Sequence, residues 1–226
     1  MEIEKQSASA SGCYFSTISC QAFESLLRFA SVFEAGLPSV VETILPVTSD
    51  RYYESIHFAE LVLSLVPNED HTAQINWYFS AHSAAYIGIF DAAKYDVERV
   101  HCHARFSDTA LYKEMRATSK STELLYKDPV NASQLYRALR NLRVHFGRAM
   151  VVLEIRTLVS DEPHWYVQNL DPSAYRLLRH APLPDDELRR YNGYLQTETV
   201  IDLFGRMLSI IRENIVETAA FVTGKA

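Results

Sequence analysis

Glycine and proline are scarce in this chain of 226 residues, at 7 and 8. Punctuation that sparse suits long helices better than many short strands, each of which needs a turn at its end. Cysteine is scarcer still. Cys13, Cys20 and Cys102 make no disulfide framework and leave one thiol over, a usage that fits a reducing compartment. No stretch approaches the ~18 consecutive apolar residues of a membrane-spanning helix. Glu2, Glu4 and Lys5 lead into a Ser/Ala stretch without the apolar core of a secretory signal. The expectation is a cytoplasmic chain with no membrane partner. A Gly-rich phosphate loop, a nucleophile elbow and a His-Glu-x-x-His motif are also missing, so nucleotide hydrolases, serine hydrolases and zinc proteases receive no support.

What is present is a globular mixture, 48% hydrophobic and 22% charged, long enough for one well-packed core. Residues 1–17 read as a loose N-terminal arm, and 18–226 as a single helical domain with a Pro-containing insertion at about 160–184.

Apolar spacing places a first helix over Ser19–Ala35, with Phe23, Leu26, Leu27, Ala30 and Phe33 on one side and Gly36-Leu37-Pro38 as its stop. A second follows Ser49-Asp50 and ends before Pro67. A third runs from Thr72 toward His103, and His82 on its apolar stripe reads as a hydrogen-bonded core histidine. A fourth follows Asp108 and fades by Lys127. Asn131 and Gln134 have capping-box spacing, so a fifth is expected over Ala132–Leu158. Trp165-Tyr166-Val167, between Pro163 and Pro172, is either a short packed segment or a strand. A last helix is expected from Asp185-Asp186 to Val222. The fold class is therefore all-α, an antiparallel bundle of four long helices with shorter additions.

Net charge is −6, which excludes a surface uniformly suited to nucleic acid. Its distribution is uneven: from Lys127 to Arg156, six basic residues stand against Asp128 and Glu154. On a helical wheel, Leu135, Leu139, Leu142, Phe146, Met150 and Leu153 fall within roughly 80° and form a core stripe. Arg137, Arg140, Asn141, Val144, His145 and Arg148 fall on the other side. A solvated face is normally rich in Glu, Lys and Gln; this one has no carboxylate until Glu154. Val144, Val151 and Ile155 would add a second apolar strip there, implying a partner helix or a second copy of the chain.

Leu139-Arg140-Asn141-Leu142-Arg143-Val144-His145 resembles the Arg-(x)₄₋₆-His motif of HEPN domains, in the form where Asn follows the arginine. Arg51-(x)₅-His57 fits the looser spacing but has Tyr52 after its arginine. The resemblance covers this motif and a general helical layout. It implies a helical bundle that dimerises to bring two motifs into one cleft. It also implies a metal-independent endoribonuclease of a toxin or defence system with a neutralising partner protein, or a catalytically silent relative that binds RNA or a partner.

The residue types suit that chemistry. Histidine moves protons near neutrality, so His145 is the expected general acid or base for a ribose 2′-hydroxyl. Arg140 offers a planar, permanently charged fork for a phosphate, and Asn141, one turn before His145, can orient either group. Arg137, Arg143 and Arg148 would hold the RNA backbone. No cofactor is needed. Arg140 and His145 diverge by ~140° on an ideal helix, so a shared site needs long reach, a distortion near Gly147, or a second subunit.

The alternatives use metal. Glu54-(x)₂-His57 and Glu98-(x)₂-His101 each match the Glu-x-x-His element of ferritin-like di-metal carboxylate bundles, with Glu24 and Glu154 as the further carboxylates such a centre needs. His101-Cys102-His103 suggests zinc, but adjacent positions on a helix cannot all face one ion.

Overall fold

The computed structural model describes residues 36–101, 103–116, 132–156, 162–177 and 184–224. The loose arm, the expected helix over Ser19–Ala35, the end of the fourth helix, the Asn131 cap, Glu24 and Cys102 lie outside the described residues. The helices in chain order are α1 (Ser39–Ile44), α2 (Pro46–Leu63), α3 (Thr72–Tyr95), α4 (Ala110–Arg116), α5 (Ala132–Phe146), α6 (Pro172–Tyr175), α7 (Asp185–Leu195) and α8 (Val200–Val222). Strands β1 (Val151–Glu154) and β2 (His164–Val167) form one antiparallel pair. The protein is all-α with a small hairpin, and no helix among the described residues is long and apolar enough to cross a membrane.

Helix α2 starts at Pro46, earlier than Ser49-Asp50 suggests, because proline fits the first turn, where its missing N–H costs nothing. Leu45 at its N-cap cannot accept a hydrogen bond through its side chain. The wholly buried Asp96 replaces that cap from a π-turn (Asp96–Val100) after α3. Its Oδ2 accepts from the Thr48 N–H at 2.8 Å and the Thr48 hydroxyl at 2.7 Å, setting negative charge against the positive end of α2. His101 Nε2 contacts the carbonyl of Ile44, the last residue of α1, at 2.9 Å, so the segment after α3 is tied to the junction of α1 and α2.

The centre of the core is aromatic. Phe79 stacks on Phe204 of α8 with centroids 5.5 Å apart, and Tyr86 meets Tyr136 of α5 edge-on at 4.9 Å. His82 sits among them, fully buried. Its Nδ1 lies 2.9 Å from the Ser55 carbonyl on α2 and its Nε2 2.8 Å from the Tyr136 hydroxyl. An Nδ1–H tautomer donating to Ser55 and accepting from Tyr136 satisfies both ring nitrogens. The expected core histidine is thus the polar joint of α2, α3 and α5.

Helix α5 ends at Phe146, twelve residues before the Leu158 the apolar pattern suggests. Gly147 follows at φ 63°, a left-handed position that glycine fills at no steric cost, and its N–H returns to the Arg143 carbonyl at 2.9 Å. The chain then enters β1, paired with β2 in the register Val151↔Val167 to Glu154↔His164. Asn76 of α3 fixes this hairpin: its Oδ1 accepts from the Met150 and Val151 N–H groups, and its Nδ2 donates to the Val151 carbonyl. Trp165-Tyr166-Val167 is therefore a strand. The expected last helix is broken in two, because Thr199 and Asp202 form a capping box that starts α8 anew after α7.

Candidate functional site on the fifth helix

Leu135, Tyr136, Ala138, Leu139 and Leu142 bury one side of α5, and the Tyr136–His82 bond holds that side on α3. The opposite side carries the charge. Arg137, Arg140 and His145 are exposed; Asn141 and Arg143 are half-buried. Not one of the fifteen residues of α5 is a carboxylate. Among the described residues, no hydrogen bond or ion pair engages the side chains of Arg137, Arg140, Asn141, Arg143 or His145.

Their mutual placement follows from helix spacing. Arg137 lies one turn before both Arg140 and Asn141, and Asn141 one turn before His145. These form a continuous line along two turns. Arg140 and His145 stay well apart around the axis, because α5 is regular up to Gly147 and no distortion draws them together. His145 occupies the last turn, where unsatisfied carbonyls favour a cation or an approaching donor.

Arg148 is not on this line. It lies beyond the helix, with its guanidinium 2.5 Å from the Asp171 carboxylate. The N–H groups of Ala174 and Ser173 at the start of α6, and then Arg148, hold the Asp171 carboxyl below its usual range. The expected second apolar strip is not formed either. Val151 is buried in β1, while Val144 in α5 and Ile155 just after β1 remain exposed, 68% and 58%. The helix that would have aligned them stops at Gly147.

The di-metal alternative finds no shared centre. Glu54 pairs with Arg51, His57 and Glu98 are exposed, His101 is used on the Ile44 carbonyl, and Glu154 pairs with Arg156. His103 Nε2 contacts the Val222 carbonyl at 3.3 Å. Among the described residues, no three His, Cys, Asp or Glu side chains converge in a way that could hold a metal ion.

Two features carry no signal in the sequence. At the start of α8, Arg206 reaches Glu198 at 3.2 Å and lies over the Tyr194 ring at 4.3 Å; burial pushes the Glu198 carboxyl up, against the pull of Arg206. Between α2 and α3, on the outside, runs an open groove of about 530 Å³ floored by alanine and glycine. Only the packing of two helices makes either one, and their residues are distant in sequence or ordinary in type.

No family model matches the chain, and no curated protein or solved structure shows significant similarity to it.

Proposed function

We propose that this chain is an RNA-contacting protein, in which α5 presents Arg137, Arg140 and Arg143 to the phosphodiester backbone and Asn141 and His145 to a neighbouring phosphate or ribose. One observation carries this reading: a helix with three arginines, a histidine and no carboxylate keeps Arg137, Arg140 and His145 exposed and Arg143 half-buried, none of them with a partner among the described residues. Unpaired arginines cost little in water, and their planar forks match phosphate oxygens in two-point contact. The protein's overall negative charge favours an RNA held locally rather than wrapped around the molecule. The HEPN resemblance fits the same face and suggests a cytoplasmic toxin or defence role, with a homodimer and a neutralising protein as partners.

Metal-independent cleavage is the second reading, favoured by the one-turn adjacency of Asn141 and His145. Here His145 would exchange a proton with the ribose 2′-hydroxyl while Arg140 stabilises charge on the phosphate. Since Arg140 and His145 diverge on one helix, this reading draws them from two copies of the chain.

Fluorescence anisotropy with a labelled single-stranded RNA tests the first reading. Reversing both Arg137→Glu and Arg140→Glu should weaken binding on the order of tenfold or more at moderate salt. Equal affinity of variant and wild type would remove the reading. If the wild type also cleaves RNA with chelator present, His145→Ala should abolish cleavage and keep binding, and Arg140→Lys should lose most of the activity.

A further inference from the structure

The end of α5 is open on every side. Val144, His145, Phe146, Gly147 and Arg148 are consecutive exposed residues, a run longer than one full helical turn. Val144 is 68% exposed, and Phe146 is 40% exposed although the wheel turns it toward the core. The backbone is open there as well. The Gly147 N–H returns to the Arg143 carbonyl, but among the described residues no donor reaches the carbonyls of Val144, His145 or Phe146.

The charged line of α5 therefore changes character along its length. Arg137 and Arg140, at mid-helix, are permanent cations with no partner among the described residues. Beyond His145 the free carbonyls form the negative end of the helix dipole, which disfavours a phosphate and accepts from N–H donors instead. Phe146 adds an exposed aromatic ring beside them. Together these supply what an unpaired nucleobase needs, a surface to stack on and acceptors for its amino edge. A protein partner fits less well. One valine and one phenylalanine fall far short of the ~800 Å² per side that a stable protein interface buries.

We infer that the tip of α5 is a nucleobase site. An unstacked base of a single-stranded RNA lies on Phe146 and donates from its edge to the free carbonyls, while the phosphates of that strand run back along Arg140 and Arg137. The inference rests on the RNA-contacting reading and names its ligand, a strand with unpaired bases. A duplex keeps its bases paired and stacked, so it offers the same helix only its backbone. The site also ranks pyrimidines. Cytosine presents an amino donor to the carbonyls, where uracil would set one acceptor against another.

Fluorescence anisotropy on the full chain is the test, with labelled oligocytidylate, oligouridylate, a ribose-phosphate chain of equal length without bases, and an RNA duplex. Wild type should bind oligocytidylate on the order of tenfold tighter than the abasic chain, the increment of one stacked base. Oligouridylate should fall between them. Phe146→Ala should erase the advantage of oligocytidylate and leave affinity for the abasic chain and the duplex unchanged; Phe146→Trp should keep the advantage. Equal wild-type affinity for oligocytidylate and the abasic chain would overturn the inference without any variant, which decides the matter even if Phe146→Ala misfolds. A folded Phe146→Ala protein that still prefers oligocytidylate would overturn it too, and if sedimentation equilibrium showed that this protein had lost a dimer, the tip would belong to a second copy. In each of these cases the arginine reading stands as long as Arg137→Glu with Arg140→Glu weakens binding. A wild type that binds none of the four ligands removes both.

Discussion

His82 and His145 stand in contrasting regions of the molecule. The first is enclosed by four helices, with both ring nitrogens bonded and Phe204 at 4.3 Å. The second sits at the exposed end of α5, with no partner among the described residues. Burial pushes the His82 imidazole down to about 4, despite the opposing bond to the Ser55 backbone, so it is neutral near neutral pH. A histidine with every bond made inside the core has nothing left to offer a substrate. One exposed at the end of α5, in line with arginines that have no partner among the described residues, keeps that capacity. The contrast separates a histidine that holds the fold from one that stands exposed at a helix end, where the proposed function places its ligand.

The largest expected break in that contrast is His82→Ala. It leaves a cavity between α2, α3 and α5 and strips the Tyr136 hydroxyl and Ser55 carbonyl of their histidine partner. The cost should be roughly 3–5 kcal/mol in a urea melt, and a loss below ~1 kcal/mol would mean that the joint does little to hold the helices together. The same residue sets a pH dependence. The unfolded chain takes up a proton at the ordinary value of 6.5 and the folded one only at about 4. The contribution of a neutral His82 is thus fully present above 6.5, declines as pH falls, and is exhausted below about 4. The total is about 3 kcal/mol. Melts between pH 7 and 4 should show that decline in the wild type and a shallower one in His82→Gln.

A smaller effect is expected at the hairpin. Asn76→Ala removes the acceptor for two buried backbone N–H groups, of Met150 and Val151, and should cost roughly 1–3 kcal/mol. Loosening β1 should leave the α3–α5 joint intact, so a matched loss of protection across α5 in hydrogen exchange would contradict it. Smallest of all, His145→Ala should leave stability within about 0.5 kcal/mol of wild type. A large loss there would show a structural role and erase the contrast.

Much of this was legible in the sequence where periodicity and burial agree. Helix α3 starts at Thr72 as its apolar pattern indicates, and His82 on its stripe is the core histidine that pattern implies. The charged and core sides of α5 separate as the wheel places them up to Leu142, but Phe146, which the wheel puts on the core stripe, is 40% exposed where the helix ends. Beyond that point the wheel misleads. Met150 is buried, as the core stripe has it, but just before a strand, and Val151, which the wheel puts on the second strip, is buried within β1; Gly147 and the β-branched pair Val151-Val152 were the signals of a stop and a strand. The break between α7 and α8 was also written locally, in Thr199 and Asp202, but was hidden by an apolar stripe running through both helices. What a sequence cannot display is the Asp96 cap on α2, 48 residues away from Thr48, or the groove between α2 and α3. Both exist only after two helices have packed.

If the arginines of α5, which have no partner among the described residues, hold phosphate as proposed, the salt dependence of RNA affinity measures this directly. With log affinity plotted against log salt for single-stranded RNA, Arg140→Gln should flatten the wild-type slope by about 0.7, the increment for neutralising one phosphate. Arg148→Gln, whose guanidinium already faces Asp171, should leave the slope unchanged. A wild type with no salt-dependent RNA affinity, or equal slopes for wild type and Arg140→Gln, would contradict the account.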